Sequence, residues 1–222
     1  MIQHQTFEHN KHGIDYFVGD LHGHYSLLMR ELDSVGFDDK KDRLFATGDI
    51  IDRGPEPLEC VGLLDQKWFN SVIGNHEQML ILGLDDSIAR KLHLRNGGGW
   101  IERLSSQELE LIASKLKERM SLAMTIDTAQ GKVGVIHAEA PSDWLALNDP
   151  VDRDLYLWPT EQYHVATSKR SKPVANIDIT IHGHVNCSYV TEGRNQLWID
   201  TLVQSGRLTV LSTAQAFNKL QP

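Results

Sequence analysis

The sequence predicts an α/β fold in which two sheets pack together. Three observations predict it. A strand–loop–helix unit recurs three times before residue 85, as in folds with a largely parallel sheet. Residues 86 to 120 carry helical signals. After them come six strand candidates, separated by turns rich in Gly and Asn.

The elements follow in order. Ile14 to Val18 is an apolar strand that ends at Gly19. His24 to Val35 carries Leu27, Leu28 and Leu32 at helical spacing, and Gly36 is its stop. Arg43 to Thr47 is a second strand, ending at Gly48. Glu56 to Lys67 reads as a helix behind Pro55. Trp68 to Ile73 is a third strand, and Glu77 to Leu84 is helical. Ser105 and Glu108 form a capping box for a helix starting near Gln107. The later strands are Leu122 to Ile126, Lys132 to Ile136, Ile177 to Ile181, Ser188 to Thr191, Gln196 to Ile199 and Arg207 to Leu211. Residues 142 to 173 read as loop-rich.

Composition narrows the function classes. At 222 residues, with 41% apolar and 23% charged side chains, the chain suits one domain with a sizeable core. Residues 1–13 read as a flexible tail bearing His4, His9 and His12. A net charge of −8 argues against sequence-blind nucleic-acid binding, which needs many phosphates neutralised. Cys60 and Cys187 form no CxxC pair, which argues against a cysteine zinc site and fits a reducing compartment. There is no signal-like N-terminus and no apolar run near the ~20 residues of a membrane span. A cytoplasmic protein without a membrane partner is expected. No feature bears on its oligomeric state.

The chemistry lies just past the strand ends. Strand one runs into Gly19-Asp20-Leu21-His22-Gly23-His24. Strand two runs into Gly48-Asp49-Ile50-Ile51-Asp52-Arg53-Gly54, and strand three into Gly74-Asn75-His76-Glu77. Two later strands end in His137-Ala138-Glu139 and His182-Gly183-His184. A lone Asp or His after a strand is usually a turn or surface residue. Five strand ends bearing such residues, at the carboxyl edge where α/β sites gather, argue for a binuclear metal centre. Oxygen and imidazole ligands without thiolate suit Mn²⁺, Fe or Zn²⁺. Two cations ~3.5–4 Å apart need a bridging carboxylate. Asp49, in the middle strand end, is the natural bridge. Asp20 and His22 would converge on one ion, and Asn75, His137 and His184 on the other. His182 remains an alternative to His184. A hydroxide bridging the two metals would attack phosphorus in line. Arg53 would neutralise phosphoryl oxygens with its forked guanidinium. His76, oriented by Asp52, would be the general acid for the leaving alkoxide. Arg53, Asn75 and His76 are thus the expected phosphate contacts, and Asp52, Arg53 and His76 the expected catalytic residues. His24 reads equally as a substrate contact or a helix start. Trp144 and Trp158 read as core residues before groove-lining ones.

These motifs resemble the metallophosphoesterase superfamily. The pattern GDxHG…GDxxDRG…GNHE is the signature of its phosphoprotein-phosphatase branch, and Asn96-Gly97-Gly98-Gly99-Trp100 is similar to the NGGxW stretch of the bacteriophage lambda-type and bacterial protein phosphatases. The resemblance runs from about residue 14 to 211. It implies the calcineurin-like fold, a two-sheet sandwich flanked by helices. It also implies the same ligand set, two divalent ions with Mn²⁺ foremost, and phosphoserine or phosphothreonine proteins as substrate. Two positions depart from the family pattern. The second phosphate arginine expected after Leu157-Trp158 is replaced by Pro159-Thr160-Glu161, leaving Arg153 or Arg170 to substitute, or nothing. The aspartate-threonine-glycine near the end reads Asp200-Thr201-Leu202. Alternative readings are a diadenosine-tetraphosphate-type hydrolase, which shares the three motifs, and a catalytically weak metal-binding module.

Overall fold

Two sheets among the described residues carry the expected architecture. A computed structural model of the chain describes residues 2–149, 152–167 and 172–220. In order these form β1 (Ile2–Phe7), β2 (Asp15–Val18), α1 (Tyr25–Val35), β3 (Arg43–Ala46), α2 (Pro57–Leu63), β4 (Phe69–Ser71), α3 (Asn75–Leu82) and α4 (Ser87–Arg95). A 3₁₀ helix (Gly98–Arg103), α5 (Ser106–Arg119), β5 (Ser121–Asp127), β6 (Lys132–Ile136) and a second 3₁₀ helix (Trp144–Asn148) follow. The chain continues through α6 (Asp154–Leu157), α7 (Glu161–Thr167), β7 (Ile179–His182), β8 (Thr191–Gly193), β9 (Gln196–Trp198), α8 (Leu202–Ser205), β10 (Val210–Ser212) and α9 (Thr213–Lys219).

One sheet has the order β10-β2-β3-β4, the other β1-β5-β6-β7-β9-β8. Strands β2, β3 and β4 are parallel, and β10 runs antiparallel on β2. Alternation along a strand sends successive side chains to opposite faces. In β2 and β3, Tyr16, Val18, Leu44 and Ala46 face the helical side, beside Leu28 and Leu32 of α1 and Leu116 of α5. Phe17 and Phe45 face the other way and stack at 5.8 Å between the sheets, with Met124, Val135, Ile181 and Leu197. Fully burying each such phenylalanine contributes about 1.5–3 kcal/mol. Covering on both faces is why these strands read as continuous apolar runs.

Capping explains the helix ends. Gly36, at φ 70°, closes α1 in the left-handed conformation. The Ser105–Glu108 box opens α5 at Ser106 as expected. Helix α3 starts two residues earlier than expected, at Asn75. Strand β8 lies over Thr191–Gly193 rather than from Ser188, and β10 begins at Val210. Residues 142–173 contain short helices within their loops.

The expected flexible tail is corrected in part. Residues 2–7 pair in parallel with β5, from Ile2 opposite Ser121 to Phe7 opposite Ile126. Phe7 packs edge-on against Phe45 at 5.0 Å, and Arg43 donates to the Glu8 carbonyl at 2.9 Å. His4 lies 2.8 Å from Thr125 Oγ1 and edge-on to Trp144. A polar composition concealed this strand, because the ladder bonds of the backbone do not depend on side-chain hydropathy. Among the described residues, no helix is long and apolar enough to cross a membrane.

Candidate metal centre

The carboxyl ends of β2, β3 and β4 meet those of β6 and β7, and the ligand-type residues lie in the turns just beyond them. Several of these turns hold strained backbone. Non-glycine residues with positive φ include His22 (42°), Asp49 (47°), Asp52 (72°), Arg53 (63°) and His184 (63°); among the described residues only Asn176 and Arg194 share the feature elsewhere. Such conformations persist where surrounding structure over-determines them, and they cluster at functional sites.

Backbone bonds lock the first three turns together. His22 N–H donates to the Asp49 carbonyl at 2.8 Å, Gly23 N–H to the Ile50 carbonyl at 2.9 Å, and Gly54 N–H to the His22 carbonyl at 2.8 Å. Glu77 completes the lock. Its carboxylate is buried and accepts from the N–H groups of Asp49 (3.0 Å), Ile50 (2.9 Å), Ile51 (3.3 Å) and Gly74 (2.8 Å).

Asp49 is central. Its Oδ2 lies 3.6 Å from His137 Nε2, 3.8 Å from His76 Nε2 and 4.0 Å from His22 Nε2. Its Oδ1 accepts from the His76 backbone at 2.9 Å. Two groups of donor atoms could each hold an ion, and Asp49 belongs to both: His22 with His76, and Asp20 with His137. Asn75 Oδ1 lies 3.0 Å from His137 Nε2. The rings of His137 and His184 sit 5.0 Å apart. Asp20 accepts from Thr47 Oγ1 at 2.7 Å and from the His184 backbone at 2.9 Å.

The second nitrogen of each ring assigns its role. His22 Nδ1 faces the Ile51 carbonyl at 3.3 Å and His137 Nδ1 the Thr47 carbonyl at 2.7 Å, so the Nε2 lone pairs point inward. His184 instead turns Nε2 to the Trp158 carbonyl at 3.1 Å. A carbonyl partner fixes the tautomer that metal ligation needs. His76 differs, because its Nδ1 donates to the Asp52 carboxylate at 2.6 Å. Burial, the largest influence on each, takes His22 down to about 3 and His137 to about 4, and lowers His184. Burial also opposes the His76 imidazolium, but Asp49 and Asp52 prevail and its pKa is raised. Three imidazoles are thus held neutral and one is held ready to carry a proton.

The donor set fits divalent metal. Asp20, Asp49 and Asp200 are buried carboxylates in one region, and neither Asp200 oxygen has a hydrogen-bond partner among the described residues. Burial, then the Asp49 charge, pushes Asp200 up to about 7; burial, then Asp200 and Asp49, raises Asp20. Burial acts to raise Asp49 too, yet His137, His76 and His22 hold it below the usual carboxylate range. Buried like charges of this kind call for cations. Arg53 lies 2.6 Å from His22 Nε2 and 3.1 Å from His76 Nε2, at the mouth of the cluster.

Other expectations resolve as follows. His182 is fully buried, stacked on Trp198 at 5.0 Å and bonded to Thr180, so it belongs to the core. His24 sits at the N-cap of α1 with Nδ1 on the Leu21 carbonyl. Trp144 is buried and bonds Thr125, whereas Trp158 is 37% exposed and donates to Gln78. Arg153 precedes α6 with an exposed side chain, and Arg170 lies outside the described residues. Leu202, in the altered motif, is buried at the start of α8. Sequence reasoning missed the parts played by Glu77, Asp200, His93 and Trp100. For Glu77 and Trp100 the signal was their place inside a recognised motif.

Comparison with known proteins identifies the family and the fold. A family model described as calcineurin-like phosphoesterase matches residues 16–204. "Serine/threonine-protein phosphatase 2" of Salmonella typhimurium is 34% identical over 189 residues, which cover 84% of this chain and 86% of that protein. A symmetrical bis(5'-nucleosyl)-tetraphosphatase of Actinobacillus succinogenes is 44% identical, but over 68 residues, 30% of this chain and 25% of its own. A solved serine/threonine phosphatase from Saccharomyces cerevisiae superposes with a TM-score of 0.63 at 16% identity, covering 95% of this chain and 83% of its own. That last likeness is one of fold.

Proposed function

The chain belongs to the calcineurin-like metallophosphoesterases, metal-dependent hydrolases of phosphate esters, and on that premise we propose that it is a protein serine/threonine phosphatase acting with two divalent ions, Mn²⁺ foremost. The observation that carries the reading is the division of labour among histidines. His22 and His137 are backed by carbonyls and aim Nε2 inward, whereas His76 is backed by the Asp52 carboxylate. The first arrangement keeps a neutral imidazole with a lone pair for metal, and the second, with the raised pKa of His76, favours an imidazolium that can give up a proton.

By resemblance Asp20, His22 and Asp49 would hold one ion, and Asp49, Asn75, His137 and His184 the other, although the donor atoms that cluster here pair Asp20 with His137 and His22 with His76. Bound there, the ions supply Lewis acidity, activating water and drawing charge from the phosphoryl oxygens. Arg53 takes two of those oxygens in its fork. Asn75 and His76 face the same group. His76 delivers its proton to the leaving alkoxide while Asp52 retains the Nδ1 bond. Bound cations would keep Asp49 and Asp20 ionised.

Coverage favours a protein substrate over a dinucleotide. Likeness to the protein phosphatase spans most of both chains at 34% identity, whereas likeness to symmetrical tetraphosphatases runs over 68 residues in one and 133 in another, 30% and 59% of this chain. The test compares p-nitrophenyl phosphate, a phosphoserine peptide and diadenosine tetraphosphate, using protein stripped by chelator and reloaded with Mn²⁺. Turnover that returns with Mn²⁺, prefers the peptide, and falls roughly 10³-fold in Asp49→Asn supports the reading. Faster symmetrical cleavage of the dinucleotide would transfer the protein to the second class. Two bound metals with no turnover of any ester would make it a binding module.

A further inference from the structure

Asp52 does more than touch His76. Its Oδ2 accepts from His76 Nδ1 at 2.6 Å, and its Oδ1 accepts from Trp100 Nε1 at 2.7 Å and His93 Nε2 at 2.9 Å. Asp52 and His93 are both fully buried. Three N–H donors on one carboxylate leave it no freedom to turn, and they suit the ionised form.

The same segment grips the next residue. Gly97 has φ 104° and its carbonyl accepts the Arg53 N–H at 3.2 Å. A Cβ at Gly97 would lie 2.8 Å from Arg53 Cγ and 2.9 Å from Arg53 N. A Cβ at Gly98 would lie 2.6 Å from the His93 ring. Both glycines therefore serve close approach as well as conformation. Asp52 and Arg53 themselves occupy left-handed backbone, which strains a non-glycine residue. They hold it because a second element fastens both the side chain of one and the backbone of the other.

We propose that residues 93–100 form a positioning device for the reaction: His93 and Trp100 fix the Asp52 carboxylate, Asp52 fixes His76, and Gly97 fixes Arg53, so that the proton donor and the phosphate fork are set by one loop outside the ligand-bearing turns. The inference rests on the reading of His76 as the acid for the leaving group. It predicts a specific signature. An acid matters when the leaving group is a poor one, such as an alkoxide, and matters little when the leaving group departs unaided.

Trp100→Phe removes the Nε1–H and keeps an aromatic ring. Turnover of a phosphoserine peptide should fall about 10- to 100-fold, the range for lost outer-sphere support. Turnover of 2,4-dinitrophenyl phosphate should stay within about 2-fold, because its leaving group needs no proton. The KM values and calorimetric Mn²⁺ affinity should be unchanged. His93→Leu should show the same pattern, and His93→Gln, which restores a donor near Nε2, should recover most of the loss. His76→Asn run alongside separates the two claims. If His76→Asn slows both esters equally, the acid assignment fails and the inference falls with it. If His76→Asn is selective for the peptide but Trp100→Phe and His93→Leu slow both esters equally, or weaken Mn²⁺ binding, the positioning role alone is overturned.

Discussion

The two sheets contribute to the centre in different ways. Turns of the four-stranded sheet are tied to one another by backbone bonds and by the Glu77 carboxylate, and they carry Asp20, His22, Asp49, Asp52, Arg53 and Asn75. Turns of the six-stranded sheet bring His137 and His184 through fewer ties. Gly183 N–H donates to the His137 carbonyl at 2.9 Å, and His184 leans on Asp20 and on the Trp158 carbonyl. Beyond His184, side chains tie the rim: Trp158 Nε1 donates to Gln78 Oε1 at 2.7 Å, and Gln78 donates to Asp154 at 2.6 Å. The difference teaches where rigidity is spent. On the proposed reading the chemistry sits on the preorganised half, and substrate choice would be tuned on the other.

The largest effect should come from the lock itself. Glu77→Gln is nearly isosteric, but its NH₂ must face two backbone N–H groups that Glu77 satisfies. Each unsatisfied buried donor costs about 1–3 kcal/mol. A loss of roughly 2–5 kcal/mol should lower the thermal midpoint by about 5–15 °C at this chain length. Peptide turnover should fall with it, since the strained Asp49 turn loses its anchor. Scanning calorimetry and steady-state kinetics on one preparation read both. A variant with unchanged midpoint and turnover would break the contrast, because the preorganised half would not depend on its central carboxylate.

This contrast also governs how much was legible in the sequence. Candidate ligands on the tightly built half stand beside glycines, directly after apolar runs, so the sequence announced both the strands and the residues beyond them. His137 was legible for the same reason. His184 required a choice with His182, and the direction of the last β7 side chain, into the Trp198 stack, made it. What stayed hidden acts across long separations. Glu77 serves amides 26 to 28 positions away, and Trp100 reaches Asp52 across 48. Asp200 stands two residues beyond the end of β9, where an aspartate reads as a turn. Strand β1 was hidden because Gln3, His4 and Gln5 are polar and its partner lies 119 positions on.

A smaller effect separates the two tryptophans that donate to the site's surroundings. Trp158→Phe removes one partly exposed hydrogen bond, about 0.5–1.5 kcal/mol. Its indole is 37% exposed at the rim, so the loss should appear in substrate discrimination. The ratio of kcat/KM between peptides that differ beside the phosphoserine should change about 3- to 10-fold. Turnover of p-nitrophenyl phosphate should stay within about 2-fold, in contrast to what Trp100→Phe does to the peptide. A uniform fall across substrates would mean that the rim is as rigidly coupled to the chemistry as the other half.

The smallest effect concerns the outer edge of the six-stranded sheet. His4 is half-buried in β1, against Thr125 and Trp144. Burial lowers its pKa below the ordinary 6.5, and a bond with Asn148 offsets part of that. A basic group lowered by folding binds fewer protons in the folded state than in the unfolded one. Its contribution is therefore fully present above pH 6.5 and is lost as pH falls through the lowered value. Docking of β1 should loosen over that window while the four-stranded sheet stays unchanged. Amide exchange, corrected for intrinsic rates, should show protection at Gln5 and Phe7 falling a few-fold between pH 7 and 5.5. Protection in β3 should hold steady. His4→Gln should remove the dependence, because an amide does not titrate. If β1 protection stays flat in the wild type, or falls equally in His4→Gln, then backbone pairing alone holds this edge and His4 only accompanies it.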